Sequence, residues 1–192
     1  MGKERLEAFS NGVIAIIITI MVLEMHVPRG ADLHALRRLL PVFLSYVLSF
    51  VYVGIYWNNH HHMLHASRRI SGGVLWANLH LLFWLSLFPF ATGWMGENHF
   101  AVLPSVGLVL LLAGIAYFIL QQTIIAAEGP NSVLKLAVGR DWKGKVSPLL
   151  YVVGIGVSFF HSWIAQAIYA LVALLWLVPD RRIERALQKR AE

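Results

Sequence analysis

The chain has 192 residues, of which 58% are hydrophobic and 14% are charged, and its formal net charge is +6. A soluble domain has about 45–50% apolar and about 25% charged residues, so this composition excludes a disordered chain and points to a membrane protein. The chain has no cysteine, which excludes disulfide frameworks, thiolate zinc sites and cysteine nucleophiles.

Runs that are nearly free of charged residues predict six transmembrane helices. These spans cover residues 8–25, 39–57, 74–94, 100–127, 146–160 and 163–178. The last two divide one uncharged stretch, 146–178, which as a single helix would be about 50 Å long, whereas the hydrocarbon core is about 30 Å thick. The polar pair His161 and Ser162 predicts the turn between them. The expected fold is therefore all-α, a six-helix transmembrane bundle.

The basic residues of the loops predict the orientation of this bundle. With six spans, 13 of the 16 Lys and Arg residues fall on the side of both termini, including those of a basic tail at residues 179–192. The positive-inside rule then places both termini and this tail in the cytoplasm of a multi-pass membrane protein. The charge flanks membrane spans, so it indicates contact with the lipid bilayer and no nucleic-acid partner.

The predicted spans lack the residues of most membrane enzymes. They contain no Asp, Lys or Arg, and the chain has no glycine-rich phosphate-binding motif, so we expect no enzymatic activity. Histidine is the one reactive residue type in excess. His61 and His65 share a helical face, but zinc needs a third ligand, and a polar helix end is the simpler interpretation. We therefore predict no metal site and no cofactor, although spacing alone leaves a haem open.

The first span carries an aliphatic stripe. Ile16, Ile20 and Leu23 are spaced i, i+4 and i+7, and Thr19 lies beside them. Such a stripe usually faces lipid or a packed neighbour, but a ring of apolar side chains also closes ion pores by dewetting. One helix cannot enclose a pore, so this second use requires several copies of the chain around an axis.

Polar residues occupy the cytoplasmic start of the same span. Asn11 lies about 140° around the helix from Ile16, so it is expected to face neighbouring helices if the stripe faces an axis. A buried amide there needs polar partners. The candidates at the same depth are Asn58, His60, His61 and Asn78.

The segment 5–24 resembles the signature of the transmembrane protein 175 family, potassium channels of lysosomal membranes and of bacteria. The family pattern is R-x-x-x-F-S-D, followed by an aliphatic run that ends near V-L-E. This chain has Arg5, Phe9, Ser10 and Asn11 at the four motif positions, with Asn11 in place of the family's aspartate. A looser similarity, which includes Tyr56-Trp57, Asn78-Leu79 and Pro89-Phe90, continues to residue 90.

The resemblance implies a homotetramer with a central pore lined by the first helix of each subunit. It makes Ile16 the constriction residue, followed by Thr19 or Ile20 and then Leu23. The motif residues Arg5, Phe9, Ser10 and Asn11 would brace this helix. The expected function is a potassium-selective cation channel of the bacterial plasma membrane, with monovalent cations as permeant ions and no cofactor.

Three other interpretations stay open at this stage. A secondary transporter of a small solute would need a midplane site, for which Gly154 and Gly156 are the only hint. A metal- or haem-binding membrane protein would use the histidines. A structural membrane scaffold is what remains if neither activity is found.

Overall fold

The computed structural model describes residues 2–28, 30–98, 103–138 and 142–177. Within these ranges all regular secondary structure is helical, which confirms the all-α fold class. The helices are α1 Lys3–Met21, α2 Leu33–Arg38, α3 Leu40–Ala66, α4 Gly72–Ser86, α5 Phe88–Glu97, α6 Leu103–Glu128, α7 Val133–Val138, α8 Trp142–Ser158 and α9 Ser162–Leu177, with 3-10 turns at Val22–Glu24 and Gly129–Asn131. The predicted basic tail, 179–192, lies outside the described residues.

Helix ends follow local chemistry. The Asp32 side chain caps α2 by accepting a hydrogen bond from the backbone N–H of Ala35 at 3.0 Å. Ser71 caps α4 in the same way, with Val74 as the donor at 3.3 Å. Pro89 lacks an N–H, so the helical ladder is interrupted between α4 and α5. Gly129 ends α6 in the left-handed region, with a φ of 74°.

Among the described residues, four helical segments are long and apolar enough to cross a membrane: Lys3–Glu24, Leu40–Ala66, Gly72–Glu97 and Leu103–Glu128. The second of these continues to Ala66, nine residues beyond the predicted span end, because the histidine-rich segment is helical. Helix α9 is a shorter apolar helix of 16 residues. Helix α8 ends at Ser158 and α9 begins at Ser162, so His161 lies in the connection between them.

The core forms where α6 packs against α4 and α8, and where α8 packs against α9. Small residues allow the closest approaches. Gly107 on α6 and Gly154 on α8 both contact the Tyr169 ring, and a Cβ at Gly154 would lie 2.5 Å from it. The Tyr169 hydroxyl donates to the carbonyl of Leu103 at 3.3 Å, which ties α9 to the start of α6. Helix α1 is different, because it packs on α3, α4 and α5 from one side only.

Candidate ion pathway along the first helix

One face of α1 and the turn that follows it is exposed on the subunit surface. Ile16 is 58% exposed, Ile20 is 42% exposed and Leu23 is 72% exposed. These are the residues of the predicted stripe, and a single subunit leaves all of them uncovered. The stripe is therefore available to lipid or to another protein chain.

Thr19 adds a polar atom to this face. Its hydroxyl donates to the carbonyls of Ala15 and Ile16, each at 3.0 Å. A hydroxyl has one proton and two acceptor lone pairs. The oxygen of Thr19 therefore keeps its acceptor capacity for a cation or water that passes along the stripe.

The opposite face of α1 is buried in the subunit. Ile14 and Ile17 are 1% and 4% exposed, and Met21 is fully buried. Because Cβ vectors on the two sides of a helix diverge, burial of this face fixes the direction in which the stripe points. The subunit thus presents the stripe outward as a consequence of its own core packing.

A hydrogen-bond chain attaches the N-terminal half of α1 to α3 and α4. Ser10 donates to the Leu6 carbonyl at 2.8 Å and accepts from Nδ2 of Asn78 at 2.9 Å. The side-chain oxygen of Asn78 lies 2.7 Å from Nε2 of His60. Because Asn78 uses its amide nitrogen on Ser10, its oxygen is the acceptor, and the proton of neutral His60 belongs on Nε2. All three side chains are buried, so each of their polar groups depends on its neighbour in this hydrogen-bond chain for a partner.

Asn11 has a different partner from those expected. Its side-chain oxygen accepts a hydrogen bond from the Trp57 indole N–H at 3.1 Å. The Trp57 ring in turn stacks on His61, with centroids 6.3 Å apart. Asn58 is half-buried, and within the described ranges neither it nor His61 joins the Ser10 chain. The expectation failed because it assumed that Asn11 is buried, whereas Asn11 is exposed and its serine neighbour faces the core.

The motif residues therefore divide between two faces. Ser10 is fully buried and contacts α4, whereas Arg5 and Phe9 lie on the exposed side, with Phe9 47% exposed. Of the four motif residues, all within the described ranges, Ser10 alone is buried, and Arg5, Phe9 and Asn11 are exposed.

A groove of about 620 Å³ runs beside the stripe, between the outer half of α1 and α5. Ile16 and Ile20 form one wall, and Phe90 and Trp94 contribute to the other. The carboxylates of Glu24 and Glu97 also line it. Sequence reasoning did not find this groove, because it depends on where α5 lies relative to α1.

Gly93 allows the Glu24 side chain to lie across α5. A Cβ at this position would be 2.9 Å from Oε2 of Glu24. Any larger residue would displace the carboxylate.

The histidines bring few ligands together. The rings of His61 and His65 stack with centroids 6.1 Å apart, as their i, i+4 spacing predicts. Across the described part of the chain, no three His, Asp or Glu residues come close enough to hold a metal ion. Within the described residues, His61 and His65 therefore have no third His, Asp or Glu close enough to complete a metal site.

Comparison with known proteins gives three consistent findings. A family model described as endosomal/lysosomal potassium channel TMEM175 matches residues 5–89. A potassium channel from Chryseobacterium sp. strain P1-3 is 55% identical, covering 98% of this chain and 100% of the relative. A potassium channel from Streptomyces collinus is 37% identical, with 90% of each chain covered.

The fold also matches a solved structure. The crystal structure of a lysosomal potassium-selective channel TMEM175 homolog from Chamaesiphon minutus superposes with a TM-score of 0.69 and 24% identity. The alignment covers 93% of this chain and 97% of that chain. The helical architecture is therefore shared over nearly the whole length.

Proposed function

Because this chain belongs to the TMEM175 family, we propose that it is a potassium channel whose pore runs along the shared axis of four α1 helices. The relatives from Chryseobacterium and Streptomyces are both named potassium channels, and the chain covers the first over its full length. The family is one of ion channels and not of enzymes.

The observation that carries the proposal is the one-sided packing of α1. The core holds one face of the helix, and the stripe on the other face is uncovered. A helix that only faced lipid would have no need for Thr19, Gly12 and Asn11 among its exposed residues, because lipid-facing surfaces are bulky and apolar. Small and polar residues on an exposed transmembrane face favour contact with other helices or with water.

In the tetramer, Ile16, Ile20 and Leu23 would form successive narrow layers around the axis. A closed aliphatic ring excludes water, so ions pass only when the four helices spread or rotate. The Thr19 hydroxyls would supply oxygen ligands to a partly dehydrated potassium ion between the apolar layers. The chain has no T-V-G-Y-G segment, so selectivity would not come from a carbonyl filter of that type.

Carboxylates at one end of the pathway support cation flow. Glu24 and Glu97 lie near the outer end of the groove, where they raise the local cation concentration. Arg5 and Phe9 are free to contact neighbouring copies of the chain at the cytoplasmic end.

The proposed topology has six spans, with α8 and α9 as a short final pair and both termini in the cytoplasm. At 1.5 Å per residue, the 17 residues of α8 are about 25 Å long, close to the hydrocarbon thickness. The membrane would be a bacterial plasma membrane, and potassium would be the permeant ion without any bound cofactor.

The test is potassium flux into liposomes that contain the purified protein, together with a mass measurement of the solubilised oligomer. We expect a tetramer with passive flux that prefers potassium to sodium. Flux that saturates and needs a coupling ion would instead identify a transporter. A tightly bound metal or a haem absorption band without flux would favour the histidine-based alternative.

A further inference from the structure

A second cavity lies inside each subunit, away from α1. It has a volume of about 60 Å³ and lies between α3, α6 and α8, with Trp176 of α9 at one side. Tyrosine rings form much of its wall, and Gly114 of α6 leaves room for a neighbouring tyrosine hydroxyl. A Cβ at Gly114 would lie 3.7 Å from the hydroxyl of Tyr56.

Gln121 is a buried amide that lines this cavity. It is only 5% exposed, and no hydrogen-bond partner for its side chain exists in the described part of the chain. The amide has two N–H donors and a carbonyl acceptor. Such a group deep in a helix bundle needs partners from somewhere other than the protein.

Tyr56 and Asn59 bring two further polar groups to the same cavity. Tyr56 is 9% exposed, and its hydroxyl likewise has no partner among the described residues. Asn59 spends its amide nitrogen on the carbonyl of Ile55 at 2.9 Å, which leaves its side-chain oxygen as an acceptor. Donors and acceptors thus converge on one small space from α3 and α6.

Another polar residue of the wall is already satisfied. Ser147 accepts from the Trp176 indole at 2.8 Å and donates to the Lys143 carbonyl at 2.8 Å. The unmet hydrogen-bonding capacity is therefore confined to the α3 and α6 walls and is not a general property of the region.

The volume limits what can bind there. A cavity of about 150 Å³ is needed to hold a benzene-sized molecule, whereas a single water needs about 10–15 Å³. An unpaired polar group inside a helix bundle is unfavourable, so a dry cavity lined by these groups would be unfavourable as well. Water is the molecule that fits the space and also supplies both donors and acceptors.

We propose that this cavity is a water-binding site, in which a small cluster of ordered water molecules hydrogen-bonds to Gln121, Tyr56 and Asn59. The site is built within one subunit and does not depend on the pore. Its water would join α3 to α6 beside a long hydrogen bond between described residues of these helices, from the Tyr117 hydroxyl to the Asn59 carbonyl at 3.5 Å.

Hydroxyl-radical footprinting by X-ray pulses tests the proposal, because radicals generated from bound water modify the nearest side chains. The full-length protein in nanodiscs is exposed for milliseconds, and oxidation of individual tyrosines is measured by mass spectrometry. Tyr169 is the internal reference, since it is also buried and its hydroxyl is bonded to the Leu103 carbonyl. We expect Tyr56 to be oxidised several-fold faster than Tyr169, and equal rates would overturn the proposal.

A pair of variants links the labelling to the amide. Gln121→Leu removes the donors and acceptor with little change in size, and Gln122→Leu makes the same change at the exposed neighbour. The Tyr56 rate should fall towards that of Tyr169 in the first variant and stay unchanged in the second. An unchanged Tyr56 rate in Gln121→Leu would mean that the radicals come from bulk solvent and not from this site.

Cryo-electron microscopy of the wild-type protein gives a test that needs no variant. Water density at about 2.7–3.2 Å from the Gln121 amide would support the site. A lipid or detergent chain in the cavity, or a direct protein partner for the amide, would contradict it.

Discussion

Helices α1 and α6 are both long and apolar, but their exposed faces differ in kind. The exposed face of α6 carries the bulky residues Leu108, Ile115, Phe118 and Ile119, with the polar Gln122 only near the end of the helix. The exposed face of α1 mixes aliphatic residues with Gly12, Thr19 and polar side chains near its N-terminal end. Hydropathy alone scores the two helices alike, whereas the chemistry of the exposed face separates a lipid surface from a proposed pore surface.

The inner faces of the two helices differ as well. Helix α6 is held between α4 and α8 by interlocking small and large residues such as Gly107 and Tyr169. Helix α1 has fewer neighbours and is held in part by the buried chain of Ser10, Asn78 and His60. A helix that lines a pore has one side without packing partners from its own chain. Buried hydrogen bonds on its other side therefore contribute more to holding the helix in place.

The largest effect, on thermal stability, is expected when the hydrogen-bond chain of Ser10, Asn78 and His60 is broken. Asn78→Leu leaves the His60 N–H without its buried acceptor and removes the donor to the Ser10 oxygen, which keeps its bond to the Leu6 carbonyl, at a cost of about 2 kcal/mol. The melting temperature of the detergent-solubilised protein should fall clearly. Asn58→Leu, on the half-buried residue outside the chain, should cause a smaller shift. Equal melting temperatures for Asn78→Leu and wild type would show that the network does not hold α1.

The next effect concerns the aliphatic layer itself. Ile16→Asn places a polar ring at the proposed constriction and should raise potassium flux in liposomes about tenfold, which corresponds to about 1.4 kcal/mol off the barrier. Ile115→Asn makes the same change on the exposed face of α6 and should leave flux unchanged. Comparable oligomer mass and incorporation must be verified for both variants. If the two variants conduct like wild type, α1 does not form the constriction.

A smaller effect is expected from the hydroxyl on the stripe. Thr19→Val keeps the shape but removes the oxygen offered to the ion, a loss of about 1 kcal/mol and about a fivefold decrease in potassium flux. Thr123→Val is the matched control, because that hydroxyl also bonds back to its own helix, at 2.7 Å from the Ile119 carbonyl. Equal flux in both variants would remove Thr19 from the ion pathway.

The sequence predicted the all-α class for an identifiable reason. Charge-free runs and helical spacing depend on local chemistry, so this class followed directly, whereas the role of the Ile16 stripe stays a prediction. The family resemblance, carried by residues 5–24, is confirmed by the 55% identical relative. The predicted partners of Asn11 were wrong because Asn11 is exposed and lies beside the Trp57 indole of α3, not in the core with Ser10. The α1–α5 groove and the Gln121 cavity arise from tertiary packing and leave no periodic signal in the sequence.

The smallest expected effect concerns Asn11, where the family has aspartate. A carboxylate also accepts from the Trp57 indole, so Asn11→Asp should keep the fold and add one negative charge per subunit near the cytoplasmic end of the stripe. A unit charge about 10 Å from a cation in water contributes about 0.4 kcal/mol, which predicts about a twofold increase in potassium flux from the cytoplasmic side at low salt. The gain should vanish at 1 M salt, where screening is nearly complete. Gln122→Glu adds the same charge to the exposed face of α6, and an equal gain there would show that the effect is not specific to the α1 face.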